Sequence, residues 1–503
     1  MARKEVTRRQ FMAGAGAMGA TTLFANELLP SQGLENHLCF LPRILGRADG
    51  NTLNFIVVMC DTWRFDHVGI FGNNWIQTPN VDAFAGQSQV FNRVYAGGFP
   101  TVLNRAELFT GRYMYTEMDW EDLPEGEIVT ATVMNEAGYT TGAVFDNWHL
   151  KDEGFYFDRG FSSWEWIRGQ ERDRFRANPL HPTLPADPSK FRGGAEPVEQ
   201  YLRNVSGRTG EADYLVAQTI QAAIEWLRRN TTYGPFYLHI DSFDPHEPWD
   251  PPQTYVDLYN PGYEGEEVIY PAYAPPDYLT PEELEHVRAL YAGEITMVDH
   301  WFGILLAELD NLGLSHNTVV IFTSDHGFLL GEHNAVGKAW SHLGHYEAYP
   351  LYQELNHIPL MIRVPGLAPA QLEPLAQPAD IMPTILDMAG ASDPGTMHGY
   401  SLLPYMNGQS GSPRQIAVSS RSLVASLSSK PRATVTDGEW TLLDGSAHAP
   451  SELYYLLTDP LQLDNLIDSQ CGIAQDLHNQ LISHWQEIGV PSSIIDLWLP
   501  SPC

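Results

Sequence analysis

Asp61 and the pair Asp325-His326 stand where the chain leaves apolar, β-rich runs. Asp61 directly follows Leu53–Cys60, and Ser324-Asp325-His326 follows Thr318–Thr323. If these runs are strands of a parallel sheet, the three residues lie at strand C-terminal ends, where open α/β sheets bind ligands. They are functional candidates on topology alone, and carboxylates are oxygen donors for a hard divalent cation. A second constellation surrounds residue 100: Phe99-Pro100-Thr101-Val102-Leu103-Asn104-Arg105-Ala106-Glu107-Leu108-Phe109-Thr110-Gly111-Arg112. A helical pattern over Arg105–Leu108 puts Thr101 near a helix N-terminus, a setting that favours an anion. Threonine also serves there as a plain N-cap. His246 lies between two prolines, a turn context. His342 and His345 fall one turn apart if helical, a spacing that would suit a second metal site or an ordinary surface or cleft position.

These residues need a scaffold, and the apolar runs supply it. Leu53–Cys60, Thr141–Phe145, Pro235–Asp241, Thr318–Thr323 and Ile358–Val364 are strand-like and apolar throughout. Such runs fit strands covered on both faces. Helical patterns lie between them, at Asn80–Ser88, Ala131–Ala137, Ala212–Arg229, Pro281–Leu312 and Pro383–Ala389. The alternation predicts an α/β fold with a doubly wound, mixed or parallel sheet flanked by helices. After residue 410 the pattern changes. A hairpin is expected around Asp437-Gly438, then a strand at Glu452–Leu456 and a closing helix at Ile473–Gly489. This is read as a smaller α+β subdomain, 411–503, behind a catalytic domain at 51–410. The segment 170–211, rich in Pro, Arg, Asp and Gly, reads as a surface insertion that shapes a cleft.

Bulk properties narrow the function. The 503 residues are 43% hydrophobic and 18% charged, with a formal net charge of −33. A globular protein of that size buries a large core. Its acidity argues against nucleic-acid binding. An anionic substrate would need a local positive spot on a repelling body. Lysines occur only at Lys4, Lys151, Lys190, Lys338 and Lys430. Of the four cysteines none forms a CxxC pair; Cys60 falls in an apolar run, and a Cys471–Cys503 bridge is open. Thr7-Arg8-Arg9-Gln10-Phe11-Met12, followed by small apolar residues to Ala25, resembles a bacterial twin-arginine export signal within residues 1–30. It implies the twin-arginine machinery as a partner and a periplasmic or secreted location. No segment has the run of about 18 apolar residues needed for a membrane span.

The segment at residue 100 is similar to the sulfatase nucleophile motif Cys-x-Pro-Ser-Arg-x-x-Leu-x-Thr-Gly-Arg. Arg105, Leu108, Thr110, Gly111 and Arg112 fall in register, but Thr101 replaces the Cys or Ser that is oxidised to formylglycine. Other family motifs follow in order: Asp61-Thr62-Trp63-Arg64-Phe65-Asp66-His67-Val68-Gly69, Thr78-Pro79-Asn80-Val81-Asp82, Trp148-His149-Leu150, Asp244-Pro245-His246-Glu247-Pro248 and Thr323-Ser324-Asp325-His326-Gly327, with Lys338 beyond. The chain therefore resembles the sulfatase family of the alkaline phosphatase superfamily. Thr62 and His326 stand where sulfatases usually have Asp and often have Asn, and Asn147 where Lys is usual. The Asp-His pair is more similar to the phosphonate monoester hydrolase and phosphodiesterase branch.

The resemblance implies an alkaline-phosphatase-like fold and an ester hydrolase. It assigns Asp61, Thr62, Asp325 and His326 to one divalent metal ion, Ca²⁺ or Mn²⁺, although Thr62 would equally cap the following helix. Thr101 becomes the nucleophile, with no formylglycine. Arg105 and Lys338 become a cationic clamp, Arg105 alternatively bridging Thr101 to the metal carboxylates. His246 becomes the leaving-group acid and His149 a substrate contact. A formylglycine hydrate has a second hydroxyl on the same carbon to expel sulfate; Thr101 has one hydroxyl only. Its ester must be released by water attacking sulfur or phosphorus, as in phosphoenzymes, which weights phosphate and phosphonate esters upward. The substrate implied is a small-molecule or glycan sulfate or phosphate ester. The alternatives are a phosphodiesterase or phosphonate monoester hydrolase with one or two metals, and a non-catalytic binder of sulfated or phosphorylated glycans.

Overall fold

The computed structural model describes residues 52–150, 156–342, 345–424, 432–445, 449–499 and 502–503. The expected export signal lies outside them. Strand Asn54–Cys60 is buried along its whole length and runs through an eight-stranded sheet. The spatial order is Ala370–Leu372, Gln89–Phe91, Leu360–Arg363, Thr318–Ser324, Asn54–Cys60, Phe236–Ser242, Thr140–Phe145, Ser163–Trp166. Alternate residues of the central strand feed two separate cores. Phe55, Val57 and Met59 pack with the helices Thr101–Thr110 and Ile381–Ala389. Ile56, Val58 and Cys60 pack with Leu215–Asn230 and Pro281–Asn311. A period-two strand covered on both faces has no polar side, which explains the continuous apolar run in the sequence.

The five strands from Thr318–Ser324 to Ser163–Trp166 are parallel to one another, while Leu360–Arg363 runs antiparallel to both of its neighbours. The sheet is thus mixed. Register matters more than direction for the site. Cys60 pairs with Ser242 on one side and with Ser324 on the other, so Asp61 and Asp325 leave the sheet at the same level. Asp241 sits one residue back on the adjoining strand, level with Met59.

The long helix Pro281–Asn311 opens on a capping box: Thr280 Oγ1 accepts from the Glu283 amide at 3.2 Å, and the Glu283 carboxylate accepts from the Thr280 amide at 2.9 Å. One of its side chains, the Tyr291 hydroxyl, donates to the Thr62 carbonyl at 2.7 Å and accepts from the Arg64 amide at 3.1 Å, fixing the turn after Asp61. A small antiparallel sheet of Leu329–Leu330, Val336–His342, Tyr273–Ala274 and His345–Ala348 carries Lys338. His342 and His345 therefore face each other across an antiparallel strand pair, not along a helix. The segment 170–211 is also more than surface: Phe191, Val198 and Tyr201 join the core beneath the sheet.

Toward the C-terminus, Ala417–Ser420, Ala433–Thr436, Trp440–Asp444 and Glu452–Tyr455 form an antiparallel sheet, with the expected turn at Asp437-Gly438. Helix Cys471–Glu487 is tied to it by the His478–Asp444 contact, 2.6 Å and buried. Cys471 and Cys503 form a disulfide, and Cys60 is a buried free thiol. Trp485 is fully buried and meets Trp498 edge to face. Replacing it by Ala should cost about 3–5 kcal/mol of unfolding free energy in urea. A loss below about 1 kcal/mol would show that this helix is not packed as described.

Candidate functional site

The floor of the site is a fully buried arginine among three buried aspartates. Arg105 projects from helix Thr101–Thr110, every residue of which is buried. Its Nε and Nη2 bond to the two oxygens of Asp241 at 2.7 and 2.8 Å. Its Nη1 reaches Asp325 Oδ2 at 2.5 Å and Asp61 Oδ2 at 3.1 Å. The parallel register supplies all three carboxylates. Arg105 is thus spent on holding them, and the bridging role fits better than a substrate clamp. Asp241, the last residue of a predicted strand, was not among the sequence candidates; its strand-end position was the available signal. Asn104, one residue before Arg105, donates to the Asp325 carbonyl at 2.8 Å.

Thr101 is the first residue inside its helix, with Pro100 at the cap position and no side-chain cap. Its Oγ1 lies 3.3 Å from His326 Nε2. His326 Nδ1 faces the Gly327 carbonyl at 3.1 Å, so Nδ1 donates and Nε2 carries the lone pair directed to Thr101. Burial pushes His326 down to about 3, so this lone pair is present at neutral pH. Thr62 caps no helix: it adopts φ 67°, and its amide donates to Asp325 Oδ1 at 2.9 Å. Its hydroxyl donates to Asp61 at 2.7 Å and accepts from Lys338 Nζ at 2.9 Å. Lys338 is thereby linked to Asp61 through Thr62. Asn147, in the usual lysine place, also turns to Asp61, with Nδ2 at 3.3 Å from Oδ2.

Above this floor opens a cleft of about 400 Å³ whose lining includes Thr101, Lys338, His246, His149, Arg192 and Arg421. His246 stacks on Phe243 with ring centres 4.1 Å apart. Its Nδ1 donates to the Glu247 carbonyl at 2.5 Å, leaving Nε2 bare. Burial, helped by Lys338, holds the ring well below the usual histidine range, hence neutral in the free protein. His149 is bordered by Trp120 and Trp148 and lies 3.4 Å from Glu171. Trp63 and Trp249, by contrast, are fully buried core residues.

The segment 170–211 delivers two residues that sequence reasoning did not single out. Glu171 accepts from Tyr270 at 2.7 Å and from Trp148 at 2.9 Å. Burial works to raise its carboxyl, but His149, His246 and Arg192 hold it well below the usual range. Arg192 Nη1 lies 3.2 Å from Glu247 and 3.7 Å from Glu171. No periodicity marks either residue; only tertiary folding brings them to the cleft.

Two groups of side chains among the described residues have the donor chemistry for a cation. In the first, ligand atoms of Asp61, Asp325 and His326 all lie within 4.8 Å of one another, and all are buried. Burial and the neighbouring Asp325 charge push the Asp61 carboxyl up, a sign of two carboxylates short of positive charge. Two carboxylates and an unprotonated imidazole nitrogen, beside a hydroxyl, fit a divalent cation. The second group, Glu171, His246 and Glu247, already has the Arg192 guanidinium between its carboxylates.

Comparison with known proteins gives this geometry a family. Residues 53–391 match the sulfatase family model, and residues 341–487 match the model of the N-sulphoglucosamine sulphohydrolase C-terminal region. The chain belongs to the sulfatase family and is an ester hydrolase with an alkaline-phosphatase-like fold. It is 26% identical over 466 residues to an arylsulfatase of Clostridium perfringens, covering 83% of this chain and 90% of that one. It is 24% identical over 464 residues to an N-acetylglucosamine-6-O-sulfatase of Bacteroides thetaiotaomicron, covering 77% and 76%. A phosphonate monoester hydrolase structure of Agrobacterium radiobacter shares the fold, with TM-score 0.68, 22% identity, and 87% and 96% coverage.

The Arg105 network makes a direct prediction. Arg105→Ala in the presence of EDTA would leave three carboxylates buried against one another, costing about 3–5 kcal/mol by urea unfolding. A change below about 1 kcal/mol would mean that water or protonation compensates and the arginine is not the organising charge.

Proposed function

We propose that this chain is a metal-dependent hydrolase of sulfate or phosphate esters that uses Thr101 as nucleophile, with phosphorus esters favoured. The observation that carries the reading is the 3.3 Å approach of Thr101 Oγ1 to His326 Nε2, beside Asp61 and Asp325 and at the start of a buried helix. Asp61, Asp325 and His326 would hold one divalent ion, Ca²⁺ or Mn²⁺. Bound there, it would acidify the Thr101 hydroxyl and neutralise the oxygens of the transferring group.

The chain's own residues carry the rest. Thr101 Oγ bonds to phosphorus or sulfur, and the bond from that atom to the leaving oxygen breaks. Lys338 places positive charge beside the transferring oxygens. Thr101 gives up its hydroxyl proton to solvent and the leaving oxygen takes one up, through His246 Nε2 once that nitrogen has been protonated. The neutral resting state of His246 suits the second step, in which water attacks the same phosphorus or sulfur and frees Thr101. A threonine ester lacks the second hydroxyl that would break the C–O bond, which is the chemical reason for favouring phosphorus. The similarity to an arylsulfatase and to an N-acetylglucosamine-6-O-sulfatase supports the sulfate-ester reading instead. The Arg8-Arg9 segment supports folded export to the periplasm or beyond, through the twin-arginine machinery.

Thr101→Ala should abolish turnover of aryl phosphate, phosphonate and sulfate by at least about 10³-fold, while retaining about one bound metal. Turnover within tenfold of wild type would remove Thr101 from the reaction. Asp325→Asn should lower bound Mn²⁺ measured by inductively coupled plasma mass spectrometry. Unchanged metal content in that variant would refute the ligand set independently of activity. In a rate panel, sulfate turnover exceeding that of every phosphorus ester would reverse the preference stated above.

A further inference from the structure

A second cavity lies away from the cleft, past the far end of the helix that begins with Thr101. That helix ends at Thr110, about 15 Å further along its axis. Just beyond its Gly111 cap, the fully buried Tyr113 forms part of the cavity wall. The cavity measures about 620 Å³, and its lining also includes Tyr400, Arg414, Gln480, Ser483 and His484. It shares no lining residue with the cleft. Gln480, Ser483 and His484 come from helix Cys471–Glu487. Arg414 comes from the segment that leads into strand Ala417–Ser420. That strand is tied to the loop before Thr101: the Ser420 carbonyl accepts from the Phe99 amide, and its amide donates to the Gly97 carbonyl, both at 2.9 Å.

Arg414 supplies the positive charge of this wall, with a side chain only 6% exposed. Its Nη2 donates to Asp380 Oδ1, and its guanidinium lies 5.3 Å over the Tyr400 ring. Asp380 is well supplied without it, accepting from the Gln377 and Tyr400 amides at 2.8 Å each. Arg414 Nε and Nη1, by contrast, are buried and find no acceptor among the described residues. His484 Nε2 is buried in the same condition. Burial, with Arg414 and His398 nearby, holds that imidazole down to about 4, so it is neutral at pH 7. Buried polar atoms are nearly always satisfied, and an ion, water or ligand is the usual partner where the protein supplies none. Three such nitrogens on residues lining one cavity therefore point to a ligand. A guanidinium selects an oxyanion. Glu487 also lines the cavity and Asp380 stands behind Arg414, so a second anionic group on the ligand would be repelled. Tyr400 rests over the guanidinium with 49% of its surface exposed, which leaves its ring free to move aside and admit the ligand.

We propose that this cavity is a second binding site, for a small molecule bearing one oxyanion group held by Arg414 and His484. A free sulfate or phosphate ion and a sugar carrying one sulfate or carboxylate share that chemistry. Binding here requires no reaction at Thr101, so the proposal stands apart from the ester-hydrolase reading.

The test is titration calorimetry on the full-length protein with sulfate, phosphate, glucuronate and glucose 6-sulfate, and with glucose as the neutral control. At least one anion should bind with Kd below about 1 mM, and glucose at least about tenfold more weakly. Because the cleft also suits an oxyanion, variants assign the heat. Arg414→Lys keeps a cation for Asp380, and Ser483→Trp fills the cavity from an exposed helix position. Each should weaken this binding at least about tenfold, whereas Lys338→Gln, in the cleft, should leave it unchanged. Crystals soaked in selenate should show anomalous density within hydrogen-bonding distance of Arg414, absent in Ser483→Trp. A sugar anion bound at least about tenfold more tightly than the free ions identifies the ring-bearing form, and equal affinity identifies the free ion. Anion binding that persists in both Arg414→Lys and Ser483→Trp, or no anion binding in wild type, overturns the inference.

Discussion

One guanidinium organises this molecule. Arg105 has no exposed surface, and it meets Asp61, Asp241 and Asp325 within 3.1 Å. Three strands deliver those carboxylates, and a fourth element, the Thr101 helix, delivers the arginine. A buried charge without partners costs several kcal/mol, so the helix and the strand ends must adopt their relative positions together. The placement of Thr101 follows from the same constraint, because it lies one helical turn before Arg105 on that helix. The nucleophile candidate is thus located by an ion pair in which it takes no part.

The second layer of the site obeys a different rule. Its groups are neutral or paired within the wall of the cleft: His246 against the Glu247 carbonyl, Arg192 against Glu171 and Glu247, Lys338 against Thr62. Each cation has a resting partner near at hand. An incoming dianion would exchange those partners rather than neutralise bare charge, which keeps a deeply buried cleft stable before substrate arrives.

The fold was legible in the sequence where one physical cause acted alone. Asn54–Cys60 was read within a residue of its observed limits because a strand covered on both faces is apolar along most of its length. The Pro281 helix was read almost to its end because its cap and its length are local properties. The start of the Thr101 helix was misplaced by four residues. β-branched Thr101 and Val102 are modest helix formers, and only complete burial carries the helix back to them. His342 and His345 have helical spacing but lie on paired strands, since that hairpin is fixed by pairing with neighbouring segments. Among the site residues, those in ordered motifs were brought together as expected. Glu171, Arg192 and Arg421 were invisible because they sit in irregular segments where no period or motif marks them. Of the two roles the sequence left open for Arg105, clamp and bridge, its bonds to Asp241, Asp325 and Asp61 favour the bridge, and Asp241 was read only as the last residue of a strand.

The hydrogen bonds joining Ser420 to Gly97 and Phe99 span more than three hundred residues of chain. They make an early and a late part of the chain interdependent in time as well as in space. While the chain is being synthesised, the floor carboxylates exist long before the loop into Thr101 has its final support. The scaffold can assemble as a vessel before its working edge is set, and that edge closes only after the strand Ala417–Ser420 emerges. The C-terminal sheet is therefore less an appended module than a keystone, late in the chain and hydrogen-bonded to the loop that leads into Thr101.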